Sequence, residues 1–341
     1  MRTVTGKGAG KASLPVPQRG VKNLFRYILK RILWLIPVIL CVSLIVFSLM
    51  DLTPGTIVDT MIGETTTPED IAALRALYDL DKPMIYRYAK YMIHLVQGDL
   101  GTSDVSGLSV WGQYISKLPN TLLLSLAALV IGAAMSIPMG INAAKKAGKL
   151  ADTATTTFAL VGISMPGFWL ALLLLLVFSY YLKLLPAGGN KELASFILPA
   201  VCSGLMLMAG STRQTRSSML EVLKMDYLRT ARAKGVPEKV VIRKHALGNA
   251  MIPILTTIGG SLSVSLAGSV VIESVFAWPG VGRMAADAMN SRDTTTICGC
   301  VIMTSILYVL IQLLVDLMYA FVDPRIKSIY SRPKKRGGVA A

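Results

Sequence analysis

Residues 32–50 read Ile32-Leu33-Trp34-Leu35-Ile36-Pro37-Val38-Ile39-Leu40-Cys41-Val42-Ser43-Leu44-Ile45-Val46-Phe47-Ser48-Leu49-Met50, nineteen positions without a charged side chain. A helix rises about 1.5 Å per residue, so about 20 apolar residues cross about 30 Å of hydrocarbon. This run therefore predicts a membrane span. It is too long for a signal-peptide core of about 7–15 residues, and no small-x-small cleavage pattern follows, so the span is expected to be retained. Five further runs have the same character: 121–141, 155–182 (long enough to tilt), 196–212, 250–272 and 295–322, the last containing Asp316. The expected fold is all-α, a polytopic membrane protein with six transmembrane helices.

Composition agrees. Of 341 residues, 53% are apolar and 16% charged, against roughly 45–50% and 25% in soluble proteins. Mean hydropathy is +0.57. Disordered chains, disulfide scaffolds and ordinary cytosolic enzymes are excluded. The formal charge of +16 suggests nucleic acid until its distribution is examined. With a cytoplasmic N-terminus, the inner segments 1–31, 142–154, 213–249 and 323–341 hold 26 Lys and Arg, and the outer segments hold 9. The positive-inside rule then places both termini in the cytoplasm and explains the charge without nucleic acid. Cys41, Cys202, Cys298 and Cys300 form no CxxC pair, so free thiols and no metal site are expected. His94 and His245 fall on opposite sides of the membrane and cannot share an ion.

Residues 1–24 are expected to be a disordered basic tail. The stretch Gly6 to Ala12 superficially resembles a phosphate loop but fails the GxxxxGK[ST] spacing. A first span and a structured external segment are expected over 25–118, a core of five spans over 119–322, and a second basic tail over 323–341. In the external segment, Thr67 and Pro68 open a helix whose Ile71, Leu74 and Leu77 share a face. A second helix starts at Pro83, with Ile85, Tyr88, Met92 and Leu95 on one face, and ends near Gly98. Both read as a lid on the membrane helices, with docking of an external protein as the alternative.

The inner loop 213–249 is the most patterned polar segment. Ala231-Arg232-Ala233-Lys234 are good helix formers, Gly235 suits a stop, and Pro237 opens a second helix bearing Val240, Val241 and His245. Two short helices joined at a glycine form an elbow.

This segment resembles the cytoplasmic coupling loop of ABC importer permeases, whose pattern is EAA, three residues, Gly, nine residues, then I-x-L-P. Arg229-Thr230-Ala231, Gly235 and His245-Ala246-Leu247-Gly248 occupy those positions. The third residue, the Gly and the Leu match; the Glu and the Pro are replaced. Asp226-Tyr227-Leu228-Arg229-Thr230-Ala231-Arg232-Ala233-Lys234-Gly235 is similar to the variant in dipeptide and oligopeptide permeases. Five other stretches agree in order: Gly98-Asp99-Leu100-Gly101, Leu118-Pro119-Asn120-Thr121, Ser164-Met165-Pro166-Gly167-Phe168-Trp169, Glu273-Ser274-Val275-Phe276-Ala277-Trp278-Pro279-Gly280-Val281-Gly282, and Asp316-Leu317-Met318-Tyr319 with Asp323-Pro324-Arg325. The resemblance covers about residues 25–328 and is best to the first permease of a pair; nickel and glutathione importers share it.

The resemblance implies a type I ABC importer permease in a prokaryotic inner or plasma membrane. It implies a peptide-like solute and no enzymatic activity in this chain. Implied partners are a second homologous permease, two cytoplasmic ATPase subunits that carry ATP and Mg, and an external solute-binding protein. No cofactor is implied on the chain itself. Coupling to the ATPases falls to Arg229, Thr230, Ala231, Arg232, Ala233, Lys234, Gly235, His245 and Leu247. Ser261, Ser265 and Ser269, four residues apart, share one face and are candidates for the solute path, with close helix packing as the alternative. Glu273, Pro279 and Gly280 are a candidate external gate, with Glu273 expected at the outer surface. Asp316, near the inner end of its span, is expected to be structural. A proton-coupled secondary transporter is the competing function. It would want acids or histidines at mid-membrane or an internal repeat, and neither is evident.

Overall fold

The computed structural model describes residues 19–63 and 66–322. Helices α1 (Arg19–Leu52), α2 (Ile57–Met61), α3 (Pro68–Leu77) and α4 (Met84–Val96) precede the core. The core comprises α5 (Val110–Lys145), α6 (Leu150–Ser164), α7 (Gly167–Leu174), α8 (Ile197–Leu223), α9 (Asp226–Ala233), α10 (Glu238–Val240), α11 (Leu247–Val275), α12 (Val281–Asn290) and α13 (Thr294–Val322). Among the described residues there is no strand. Among the described residues, five helices are long and apolar enough to cross a membrane, and six spans result if the bent pair of α6 and α7 counts as one. Residues 1–18 of the expected N-terminal tail and all of 323–341 lie outside the described residues; 19–24 form the first turns of α1.

The third run is not one tilted helix. It breaks between α6 and α7 with a bend of 102°. Met165 is extended (ψ 127°), as a residue before proline prefers, and Pro166 has no N–H to continue the ladder. Two other helices outrun their apolar cores. The 36-residue α5 starts eleven residues before the expected span, with Ser109 accepting from the Gly112 N–H. At about 1.5 Å per residue it is about 54 Å long, well beyond the hydrocarbon. The fourth span likewise continues to Leu223, so the first part of the inner loop is helix.

Helices α5 and α8 approach each other closely. A Cβ on Gly140 would fall 2.8 Å from the Thr212 carbonyl oxygen, and one on Gly204 would fall 2.6 Å from Ile131 Cγ2. Gly132, Ser136 and Gly140 recur every four residues on the buried side of α5. Small residues let the backbones close where lipid supplies no hydrophobic drive. Asp152, at the head of α6, accepts from Arg216 Nε (2.5 Å) and Nη2 (2.8 Å) and from the Gly148 N–H (2.9 Å), tying α6 to α8.

Helix α1 lies at the periphery against α13, where Arg31 meets Asp316 at 2.6 Å. Its lipid-type face exposes Leu33, Trp34, Ile36 and Leu49. Helix α4 runs along its second half: Tyr88 Oη donates to the Leu40 carbonyl oxygen, and Phe47 stacks edge-on against Tyr88. The packed face of α4 is Met84, Arg87, Tyr88, Tyr91, Met92 and Leu95. Ile85, expected on that face, is 76% exposed instead, one position out of phase. Thr67 caps α3, as expected, and Asp70 returns the bond to the Thr67 N–H, but Leu77 is exposed and α3 buries no residue.

Candidate functional site

Two clusters stand at opposite ends of α11, whose 29 residues span about 43 Å. At its N-terminal end is the elbow. Helix α9 turns Leu228 fully inward and packs Ala231 on the same core, which includes Met219, Val241 and Ala246. Arg229, Thr230, Arg232, Ala233, Lys234 and Gly235 all face outward. Of the small residues expected to give a partner its fit, Ala231 is therefore turned into the protein.

Gly235 sits at φ +77°, a conformation other residues reach only at a cost, and it ends the helix as the sequence suggests. Arg232 then folds back onto Glu238 through two 3.0 Å bonds. Beyond Pro237 the structure departs from two separate short helices. The brief α10 passes into a π-helical turn at Val241–Ala246 and directly into α11. The second arm of the elbow is thus the head of a membrane helix. Tyr227 binds the two arms together: its Oη donates to the His245 carbonyl oxygen (3.3 Å) and accepts from Asn249 Nδ2 (2.7 Å). His245 and Leu247 are half-buried at this junction.

At the C-terminal end of α11, two stretches about 150 residues apart become one knot. Glu273 is not at the surface; it is fully buried in the last turn of α11. The expectation failed because a carboxyl in a loop-like sequence is here enclosed by donors. Thr121 Oγ1 donates to Glu273 Oε1 (2.7 Å), the Arg283 N–H donates to Oε2 (3.0 Å), and Thr121 also accepts from the Val281 N–H (2.8 Å). The Glu273 carboxyl thus occupies the N-terminus of α12, where free amides point outward. Gly280 and Gly282 are required by proximity: a Cβ on Gly282 would lie 2.7 Å from Val270 Cα, and one on Gly280 would overlap the Glu273 carboxyl.

Asn120 completes the knot. Its Nδ2 donates to the Pro279 carbonyl oxygen (2.9 Å), and its own carbonyl oxygen accepts from Trp278 Nε1 (3.2 Å). Arg283 Nη1 donates to the Ala277 carbonyl oxygen (2.6 Å). Asn120, Thr121 and Arg283 were not singled out by sequence reasoning, although two of them lie in the quoted stretch 118–121. Beside the knot is a mostly apolar cavity of about 220 Å³, edged by Tyr114, Thr121 and Thr304.

Next to it, the 98–109 loop is clasped to the head of α13. Ser103 Oγ donates to Asp293 Oδ2 (2.6 Å), and Asp293 caps α13 through the Thr296 N–H (2.9 Å). Asp104 lies in the same clasp, bonded to Thr295; burial, then the neighbouring Asp293, pushes its pKa up to about 6. Of the three candidate path serines on α11, Ser261 and Ser265 are half-buried, whereas Ser269 is buried and bonds Glu273. Among the described residues, no three His, Cys, Asp or Glu side chains gather as a metal site.

Residues 136–328 match the family described as binding-protein-dependent transport system inner membrane component, and residues 24–126 match its N-terminal counterpart. The chain is 37% identical to the dipeptide transport system permease protein DppB of Escherichia coli (strain K12), over 89% of this chain and 99% of that one. It is 38% identical to the oligopeptide transport system permease protein AppB of Bacillus subtilis (strain 168), with 88% and 99% covered. It is 39% identical to the glutathione transport system permease protein GsiC of Salmonella paratyphi A (strain ATCC 9150 / SARB42), with 89% and 99% covered. Among solved structures, an inward-facing MetNI methionine ABC transporter chain superposes with a TM-score of 0.53 at 16% identity, over 62% of this chain and 96% of that one. That likeness establishes the fold.

Proposed function

We propose, for a chain that belongs to the binding-protein-dependent transport system inner membrane component family, that its solute is a short peptide and that its elbow is where ATP hydrolysis is coupled to transport. The chain is a multi-pass inner-membrane permease of an ABC importer. The peptide reading is supported by relatives named for dipeptide, oligopeptide and glutathione transport. Such an importer pairs this permease with a second homologous one, two cytoplasmic ATPases holding ATP and Mg, and an external solute-binding protein. Both termini and the elbow then face the cytoplasm, as the charge distribution favours. The core of the permease is proposed to run from α5 to α13, so the expected boundary at 118/119 falls inside α5, and the segments before the 98–109 loop form the peripheral unit.

The observation that carries the coupling role is the outward face of α9. Thr230, Ala233 and Gly235 offer a low surface for close fit; Arg229, Arg232 and Lys234 supply charge. Movement of α9 is passed to α11 by buried Leu228 and by the Tyr227 tie to His245 and Asn249. Closure of the ATPases shifts the permease between inward- and outward-facing states only if their contacts with α9 differ in the two states. Ser261 and Ser265 are proposed to border the solute path. Pro279 and Gly280 are proposed to border its external end, held from beneath by Glu273. The proton-coupled alternative gains no support: Glu273 is enclosed by donors and Asp316 pairs with Arg31.

The test is affinity isolation of the tagged chain from its own membranes in mild detergent, with vanadate-sensitive ATPase activity as the readout. Co-recovery of a second permease and ATPases, with hydrolysis stimulated by short peptides, is expected. Recovery of the chain alone after crosslinking, without ATPase activity, overturns the proposal.

A further inference from the structure

We infer that a cavity at the C-terminal end of α1 is a binding site for the phosphate headgroup of an anionic phospholipid. The cavity, of about 310 Å³, lies where α1, α4 and the head of α13 meet. Its polar wall carries Arg87, Arg292 and one acid, Asp51. Arg87 pairs with Asp51 through a single nitrogen, and its Nε is buried with no hydrogen-bond partner. Arg292 is half-buried, and among the described residues no carboxylate pairs with it. Two guanidiniums against one carboxylate leave the wall positive. Thr294 completes the wall at the head of α13, whose amides are already met by the Asp293 carboxylate, so the arginines alone supply the positive charge. The wall is therefore built for an oxyanion.

Depth in the membrane selects the source of that oxyanion. The floor is Phe47 and Met50, in the last turns of a membrane helix. At the cavity rim Leu52 is 80% exposed, and just outside, on the same helix end, Leu49 is 59% exposed. Helix α4, packed along α1, exposes Ile85, Ile93 and Val96. The cavity is thus bordered by apolar surface that only acyl chains cover well, while its basic groups stand where the helix leaves the hydrocarbon. A free phosphate satisfies the arginines but leaves that surface in water; a phospholipid satisfies both. Basic pockets between membrane helices recognise headgroups on these terms.

The test uses the full-length chain in detergent, titrated with phosphatidylglycerol and, separately, phosphatidylcholine under native mass spectrometry. Phosphatidylglycerol is expected to bind about tenfold more tightly, and Arg292→Gln to weaken it about five- to tenfold through loss of charge-assisted bonds. Arg292→Lys, which keeps the charge, is expected to stay within about twofold. Lys183→Gln, a basic position outside the cavity, is expected to leave binding unchanged. Equal affinity for the two lipids, or an unchanged Arg292→Gln, overturns the site. Displacement of the lipid by millimolar inorganic phosphate assigns the cavity to a free oxyanion and overturns the lipid reading.

Discussion

Removing the Glu273 side chain is expected to undock α12 from the rest of the permease. In Glu273→Ala, the Thr121 hydroxyl and the Arg283 N–H lose the acceptor they reach at 2.7 and 3.0 Å. Glu273 is fully buried, so water does not replace that acceptor without local opening. Each orphaned buried donor costs about 1–3 kcal/mol, which puts the pair near 4 kcal/mol. At 1.4 kcal/mol per tenfold, the open state of the knot gains about two to three orders of magnitude in population. Glu273→Gln fills the same space but turns an NH2 towards one donor, so about 1–2 kcal/mol is expected. Hydrogen exchange of the full chain in detergent reads this directly. Amides over 279–291 should lose protection in the order wild type, Gln, Ala, while amides over 200–215 in α8 stay unchanged. If Glu273→Ala protects 279–291 within about threefold of wild type, the knot is not what holds α12, and the reasoning fails.

Asp104 gives a pH dependence with a defined sign. Its folded pKa is raised to about 6, so the clasp is at full strength below the ordinary carboxylate range of about 4 and weakens as pH rises through about 6. Protection of amides 99–109, taken relative to their intrinsic exchange rate at each pH, should accordingly fall between pH 5 and pH 7, and Asp104→Asn should flatten that change. Asp152→Asn removes the charge and one of the two acceptors that meet Arg216; with Arg216 30% exposed, about 2 kcal/mol is expected, seen as a midpoint several degrees lower in a thermal melt. Gly235→Trp should abolish peptide uptake while leaving the chain inserted in the membrane, as measured by uptake alongside membrane fractionation. Gly235→Ala, which carries the backbone strain without the bulk, should retain a substantial part, and normal uptake by the Trp variant counts heavily against coupling at α9.

How much of this was legible in the sequence depends on whether the property belongs to one residue or to a pair. Hydropathy is summed residue by residue, so the apolar runs appear without any knowledge of what they touch. The cap at Thr67 and the stop at Gly235 are equally local, and both stand in the structure. Partnership is not local. Asp316 is a costly lone acid in its run until Arg31 is found opposite it, at the other end of the chain. Glu273 looks like a surface carboxyl until Thr121 and the amides of α12 surround it. The quoted stretches 118–121 and 273–282 carried the family resemblance separately; that they are one knot is a fact of folding. The cavity between Arg87 and Arg292 is likewise invisible in sequence, because its two cations come from segments more than 200 residues apart.

The break at Pro166 shows why even a strong local signal does not settle local structure. Pro37, Pro119, Pro138 and Pro253 all sit inside helices that continue through them. Each removes one N–H and strains one turn, and within a membrane bundle neighbouring groups and small adjustments absorb that. At Pro166 the following residue also faces a neighbouring helix. Gly167 lies so close to α8 that a Cβ there would come within 2.7 Å of Met206 Cε. The bend carries α7 close against α8 at that point, and the 102° turn sets the path of the whole segment. A proline supplies the weak point, but it does not by itself turn the chain: Pro138 lies beside an equally close approach to α8 at Gly140, and its helix continues. Tertiary packing is the term a one-dimensional reading omits when it expects a single tilted span.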